Sequence, residues 1–198
     1  MNIPPEALPW IGVHRTHIDS KNLQEAYAKS LREDYQMIRS FLPEHCESIL
    51  DIGCGMAGID TFFYTHYQKQ IHLHLMDGTG DTDEKIGFHD EMEPYNNLAI
   101  TKKLLMMNGV IPEHIHFHPI NAELTIPCDV IISLLSWGFH YPANTYCELA
   151  KRSLRSGGII ILDVRKGTDY RCLKRNFKKM KTIYKRERKV LRMVFRAK

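Results

Sequence analysis

The stretch Asp51-Ile52-Gly53-Cys54-Gly55-Met56-Ala57-Gly58 constrains the fold more than any other part of this 198-residue chain. It carries a G-x-G-x-x-G spacing between an aliphatic run ending at Ile52 and a helical run beginning near Ala57. Glycines at these positions let the backbone turn sharply and let a ligand approach the main chain with no Cβ in the way. Asp77 follows 19 residues after Gly58, at the end of the next predicted strand. A carboxylate there can accept hydrogen bonds from both hydroxyls of a ribose. The glycine spacing alone also occurs in ordinary βα turns. Strand, glycine loop, helix, strand and terminal acid in succession point to nucleoside binding. Asp51 narrows the ligand further. Two residues before the first glycine, its carboxylate suits a cationic, amine-bearing ligand and would repel a pyrophosphate.

The rest of the chain supports an α/β sheet. Residues 1–19, with Pro4, Pro5 and Pro9, read as irregular. Ser20 is a plausible N-cap for a helix reaching Leu42, where Pro43 stops it. Strands are predicted over 48–52, 71–76, 115–120, 129–135 and 159–164, with helices over about 57–67, 96–108 and 145–154 between them. Ser156-Gly157-Gly158 closes the last of these helices. A further helix over about 168–179 precedes two strands, 181–186 and 189–195. Alternating strands and helices predict a doubly wound, mostly parallel, seven-stranded sheet. The last two strands lack an intervening helix and should form an antiparallel hairpin. The expected organisation is an N-terminal segment and helix, 1–47, packing on or capping the site, and a nucleoside-binding domain, 48–198. No second domain to hold a hydride acceptor is expected.

Ile49-Leu50-Asp51-Ile52-Gly53-Cys54-Gly55 resembles the first motif of the class I S-adenosylmethionine-dependent methyltransferases, and the resemblance covers about residues 48–198. It implies a Rossmann-like methyltransferase fold with S-adenosyl-L-methionine as cofactor. Asp77 resembles the ribose-binding acid of that family, with Gly78 beside it. Asn121-Ala122 resembles the pair that lies along the adenine, although the family has an Asp near this position. Asp129–Ser136, which includes Leu134, resembles the fourth-strand motif whose backbone holds the methionine end. With Asp51, Gly53, Cys54, Gly55 and Gly58 of the loop, these are the candidate cofactor contacts. The Asp/Asn-Pro-Pro-Tyr/Phe motif of the amino-methylating DNA enzymes is missing after the fourth strand. Ser136–Pro142 instead resembles a segment of bacterial sugar O-methyltransferase-like proteins.

Ligands of open α/β sheets lie beyond the carboxyl ends of the strands. The segment Ser136-Trp137-Gly138-Phe139-His140-Tyr141-Pro142 should therefore face the methyl acceptor. Methyl transfer from a sulfonium is an in-line displacement, so the enzyme mainly aligns the nucleophile and removes its proton. His140 is the candidate base, against a plain loop histidine, with Tyr141 as the alternative. Trp137, Phe139 and Tyr141 are candidate acceptor-site walls, against a simple core edge for Trp137 and Tyr141. Gly78–Tyr95, which holds three glycines, six acids and His89, is long enough to be a lid or binding loop, and His89 is a candidate acceptor contact.

The five cysteines are odd in number and form no C-x-x-C pair, which argues against a disulfide framework and for a reducing, cytoplasmic setting. No apolar run reaches the length of a membrane span. Charge is unevenly spread. Residues 165–198 hold 15 Lys and Arg against two acids, a balance of +13, so a net charge of +4 leaves −9 for residues 1–164. The predicted helix 168–179 sets Tyr170, Leu173, Phe177 and Met180 against a basic back, which suits sheet packing, an anionic membrane surface or nucleic acid. His72 and His74 alternate on one strand, as do His114, His116 and His118 on or near another. Pairing of those strands would cluster them. With no carboxylate spaced alongside, half-buried strand histidines are the reading, and no metal is expected. The first functional reading is an O-methyltransferase for a sugar, glycan or small hydroxylated metabolite. The second is an RNA methyltransferase using the basic C-terminal third. The third is a non-catalytic cofactor-binding partner subunit. The oligomeric state is not specified by the sequence.

Overall fold

The computed structural model describes residues 1–14, 22–80, 96–123, 125–185 and 190–198. Its sheet has seven strands: β1 Ser48–Ile52, β2 His72–Met76, β3 Ile115–His118, β4 Cys128–Ser133, β5 Leu154–Arg165, β6 Phe177–Lys185 and β7 Val190–Ala197. They lie in the order β3-β2-β1-β4-β5-β7-β6. The first five run parallel, while β7 is antiparallel to both β5 and β6. The predicted sheet and its closing hairpin are therefore present. β1 is buried along its whole length, as a central parallel strand must be.

The strand pleat divides the core in two. Ile49, Leu73, Leu75, Val130, Ile132, Ile159 and Ile161 face helices α1 Leu8–His14, α2 Leu23–Ile38, α3 Gly58–His66 and α4 Leu98–Met107. Leu50, Ile52, Met76, Ile131, Ile160, Leu162 and Phe195 face α5 Cys147–Ser153 and α6 Arg171–Asn176. The connection between β3 and β4 contains no described helix, so the second face of β2 and β3 has no described helix over it.

Three expectations are corrected. Of the stretch 1–19 read as irregular, the described residues 1–14 are not so, because a 3-10 turn over Pro5–Ala7 leads into α1. Pro5 and Pro9 both sit in first turns, where the missing N–H would have no helical partner. The helix expected over 145–154 is present as α5 and ends at Ser153, but Ser156-Gly157-Gly158 does not close it. β5 begins at Leu154, opposite Cys128, and its register shifts there. A Cβ on Gly158 would lie 2.9 Å from the Asp129 carbonyl oxygen, so glycine lets the strands close at this irregularity. The basic helix 168–179 shrinks to the six residues of α6, and Phe177 onward pairs with β7 as the sheet edge. No described helix is long and apolar enough to cross a membrane.

α2 is fastened to the sheet by a buried ion triad. Arg192 on β7 donates to both Asp163 carboxylate oxygens, at 2.7 and 2.9 Å, and to Asp34 of α2 at 3.0 Å. All three side chains are fully buried. Gly58 makes the closest packing possible: a Cβ there would sit 2.5 Å from Leu31 and from the Tyr27 hydroxyl of α2.

Candidate active site at the carboxyl ends of the strands

The glycine loop is held from three sides. Gly53 and Cys54 donate their amides to the Met76 carbonyl at the end of β2, at 2.8 and 3.4 Å. The Gly55 amide donates to Asp77 Oδ2 at 2.7 Å, and the Gly78 amide to Asp77 Oδ1 at 2.8 Å. Asn96 and Thr101, before and within α4, donate to the Gly55 carbonyl at 2.7 and 3.1 Å. Gly53 and Gly55 both have positive φ, +71° and +52°. A Cβ on Gly53 would fall 2.0 Å from Ser136 Oγ, so the loop and the segment after β4 meet only because that residue is glycine. Gly58 has no such conformation and serves the packing of α2 instead.

Asp51 and Asp60 form the least expected feature. Asp51 points from the end of β1, and Asp60 lies in the first turn of α3. Asp60 is fully buried, and its carboxylate oxygens meet no donor other than the carboxyl of Asp51. Burial, then the charges of Asp60 and Asp77, raise the Asp51 pKa well above the usual carboxylate range. Burial likewise raises that of Asp60, and it pushes the Cys54 thiol up, aided by the three acids. Two buried carboxyls this close hold a proton between them, and the natural substitute for that proton is a cationic ligand group. This acidic set fits the positively charged methionine end of S-adenosylmethionine, with Asp77, held by the Gly55 and Gly78 amides, placed beside it. A pyrophosphate would meet the three acids Asp51, Asp60 and Asp77. The sequence singled out Asp51 and Asp77 but missed Asp60, Asn96 and Thr101. The only signal for Asp60 was an acid two residues beyond the last motif glycine.

The segment after β4 is a tight knot. Leu135 takes a left-handed φ of +65°, and the Ser136 carbonyl accepts the amides of Phe139, His140 and Tyr141 at 3.0, 2.8 and 3.2 Å. Ser133 Oγ donates to the Ile52 carbonyl and accepts the Trp137 amide, tying β1, β4 and the knot together. Trp137 is fully buried, and its indole donates to the Ala143 carbonyl at 2.8 Å. It is a core residue, not an acceptor-site wall. Phe139 is half-buried between the His140 ring, edge-on at 5.0 Å, and the Arg165 guanidinium at 4.8 Å. His140 is exposed and Tyr141 half-buried at the same rim.

Asn121 is exposed and Ala122 half-buried just past β3, in a turn closed by the Ala122 amide on the Pro119 carbonyl. Tyr146, which the sequence did not suggest, donates to the neighbouring Ile120 carbonyl. Leu134 packs half-buried beside the glycine-loop side of the core. Asp129, by contrast, lies at the opposite end of β4 and accepts the Glu47 and Ser48 amides. His89 lies outside the described residues.

The histidines do come together. Burial, then the neighbouring rings, lower the His74 pKa to about 4 and also depress those of His114, His116 and His118.

No protein-family model matches this sequence, and no curated protein matches it. Solved structures do match the fold. StiE O-MT, residues 961–1257, aligns with a TM-score of 0.64 at 10% identity, covering 100% of this chain and 83% of its own. The N-methyltransferase NodS from Bradyrhizobium japonicum WM9, solved with S-adenosyl-L-homocysteine, aligns with a TM-score of 0.59 at 10% identity, covering 96% and 98%. The architecture is thus the Rossmann-like fold of the class I methyltransferases.

Proposed function

We propose that this protein is an S-adenosylmethionine-dependent methyltransferase that methylates a hydroxyl of a sugar or other small hydroxylated metabolite. The observation that carries the reading is the acid-lined glycine loop. Asp51 and Asp60 meet the positive end of the cofactor, and Asp77 meets its ribose. Gly78, Asn121, Ala122 and Leu134 complete the contacts along the adenine and methionine portions. The cofactor supplies an activated methyl group, so the protein needs only to align the acceptor and remove its proton. His140 takes that proton at the exposed rim, with Phe139 and Tyr141 flanking the acceptor hydroxyl. StiE O-MT and NodS, an O- and an N-methyltransferase, share the fold, so the fold itself leaves the acceptor atom open. Ser136–Pro142 favours oxygen through its resemblance to sugar O-methyltransferase-like proteins. The test is an acceptor screen with labelled S-adenosylmethionine over nucleotide sugars, glycans, small alcohols and RNA. Label entering a sugar hydroxyl supports the proposal, and label entering only RNA or only amines contradicts it.

One observation favours RNA as the second acceptor class. Lys178, Lys179 and Lys181 on edge strand β6, with Arg171, Lys174 and Arg175 of α6, are all exposed. Contacts of this kind to phosphates would make RNA binding fall steeply with salt.

A further inference from the structure

Where the chain between β3 and β4 lacks a described helix, the second face of the β2–β3 edge carries a ladder of imidazoles. Its order is His114, His72, His116, His74, His118, with successive ring centroids 4.7, 5.1, 4.8 and 5.3 Å apart. The strands are parallel, with His74 opposite His116 and Met76 opposite His118. Two diagonal contacts repeat one pleat apart with the same atoms. His72 Nδ1 lies 2.9 Å from His116 Nε2, and His74 Nδ1 lies 3.0 Å from His118 Nε2. His72 is exposed, and the other three are half-buried.

We propose that the diagonal pairs His72–His116 and His74–His118 are two sites for a divalent copper ion, each binding through two imidazole nitrogens in adjacent positions of a square-planar or tetragonal shell. The nitrogen separation selects the geometry. With metal–imidazole bonds of about 2.0–2.1 Å, ligands at right angles lie about 2.8–3.0 Å apart, whereas tetrahedral ones lie about 3.3–3.4 Å apart. The observed 2.9 and 3.0 Å match the right-angled edge. That edge suits copper or nickel rather than zinc, and copper heads the affinity order for divalent first-row metals. In the free protein each contact is an N–H···N hydrogen bond with one proton on an inner nitrogen. On binding, that proton leaves to water, and the outer nitrogen of the same ring takes one up, so both rings bind as neutral imidazoles with no net proton release. No three His, Cys, Asp or Glu side chains among the described residues converge as a cage. Water therefore fills the other positions. The sites lie on the sheet face opposite the Asp51–Asp60 pair and do not depend on the methyltransferase reading.

Titration of the full chain with copper(II) chloride tests this, followed by calorimetry and electron paramagnetic resonance. Two equivalents should bind, with an axial spectrum showing nitrogen coupling, and zinc chloride should bind about tenfold or more weakly. His116→Asn should remove one equivalent and His118→Asn the other. The double variant should lose both, while His45→Asn changes neither. Should the double variant fail to fold, His72→Asn with His74→Asn dismantles the same pairs from β2 and should give the same loss. Unchanged copper binding in a folded double variant, or zinc binding as tight as copper, overturns the proposal.

Discussion

Asp60 is the residue on which the chemistry of the site turns, since a fully buried carboxyl whose only partner is another carboxyl weakens the fold once both are ionised. Its folded-state pKa is raised, so the folded protein binds a proton more tightly than the unfolded chain. The associated stability is present below the ordinary carboxylate range and is lost as pH rises toward neutrality. Asp60→Asn should therefore stabilise the empty protein at pH 8, by roughly 1–3 kcal/mol, yet weaken cofactor binding. Urea denaturation at pH 5 and pH 8 checks the first part; an equal effect at both pH values would rule out the shared proton. Asp77→Ala should weaken S-adenosylhomocysteine binding by about 1.5–3 kcal/mol, the scale of hydrogen bonds to a charged group, read by calorimetry on a folded variant. An unchanged dissociation constant would take Asp77 out of the site. His140→Ala should leave cofactor affinity nearly intact and cut turnover by about 10²–10⁴-fold. Normal turnover in that variant would make His140 a loop residue. Asp51, Gly53, Gly55 and Asp77 were legible because a glycine spacing and a strand-terminal acid are local signals. Asp60 was not, because its partner is nine residues away and only the fold brings the two carboxyls together. Trp137 was misread for the opposite reason. An aromatic past a strand end looks available until the chain folds it back onto the Ala143 carbonyl.

Among the elements, α2 was predicted from its helical period, but what fixes it to the sheet was not. Arg192 reaches it from a strand 158 positions away in sequence, and nothing near Asp34 announces that contact. Breaking a buried charge network from one side leaves the other charges uncompensated. Arg192→Met should therefore destabilise the protein by about 3–5 kcal/mol in urea denaturation, and a loss below 1 kcal/mol would show that the triad does not anchor the helix. The strands were legible wherever the chain is aliphatic on both faces, and β1 was predicted residue for residue. The segment 168–179 was misread because its apolar residues fit a helical period, whereas the open edge of β7 offered backbone partners from Phe177 onward. Sheet pairing overrode local pattern there. Residues 1–14 were misread because proline was taken as a breaker where it opens a helix.

Over the whole molecule, the strand order, the antiparallel hairpin and the acids at the carboxyl ends of the sheet all support the proposed ligand, a cationic sulfur nucleoside. The glycine loop and its acids lie in the acidic sequence up to residue 164, and the basic remainder supplies α6, β6 and β7. The acceptor was not legible in the sequence, because none of the motifs names a substrate. The most direct measurement is calorimetric titration of the full chain with S-adenosyl-L-homocysteine, with NADH titrated in parallel. The expected result is one site for the sulfur nucleoside and none for NADH. Binding of NADH without binding of S-adenosyl-L-homocysteine or S-adenosyl-L-methionine would contradict the assignment of the site.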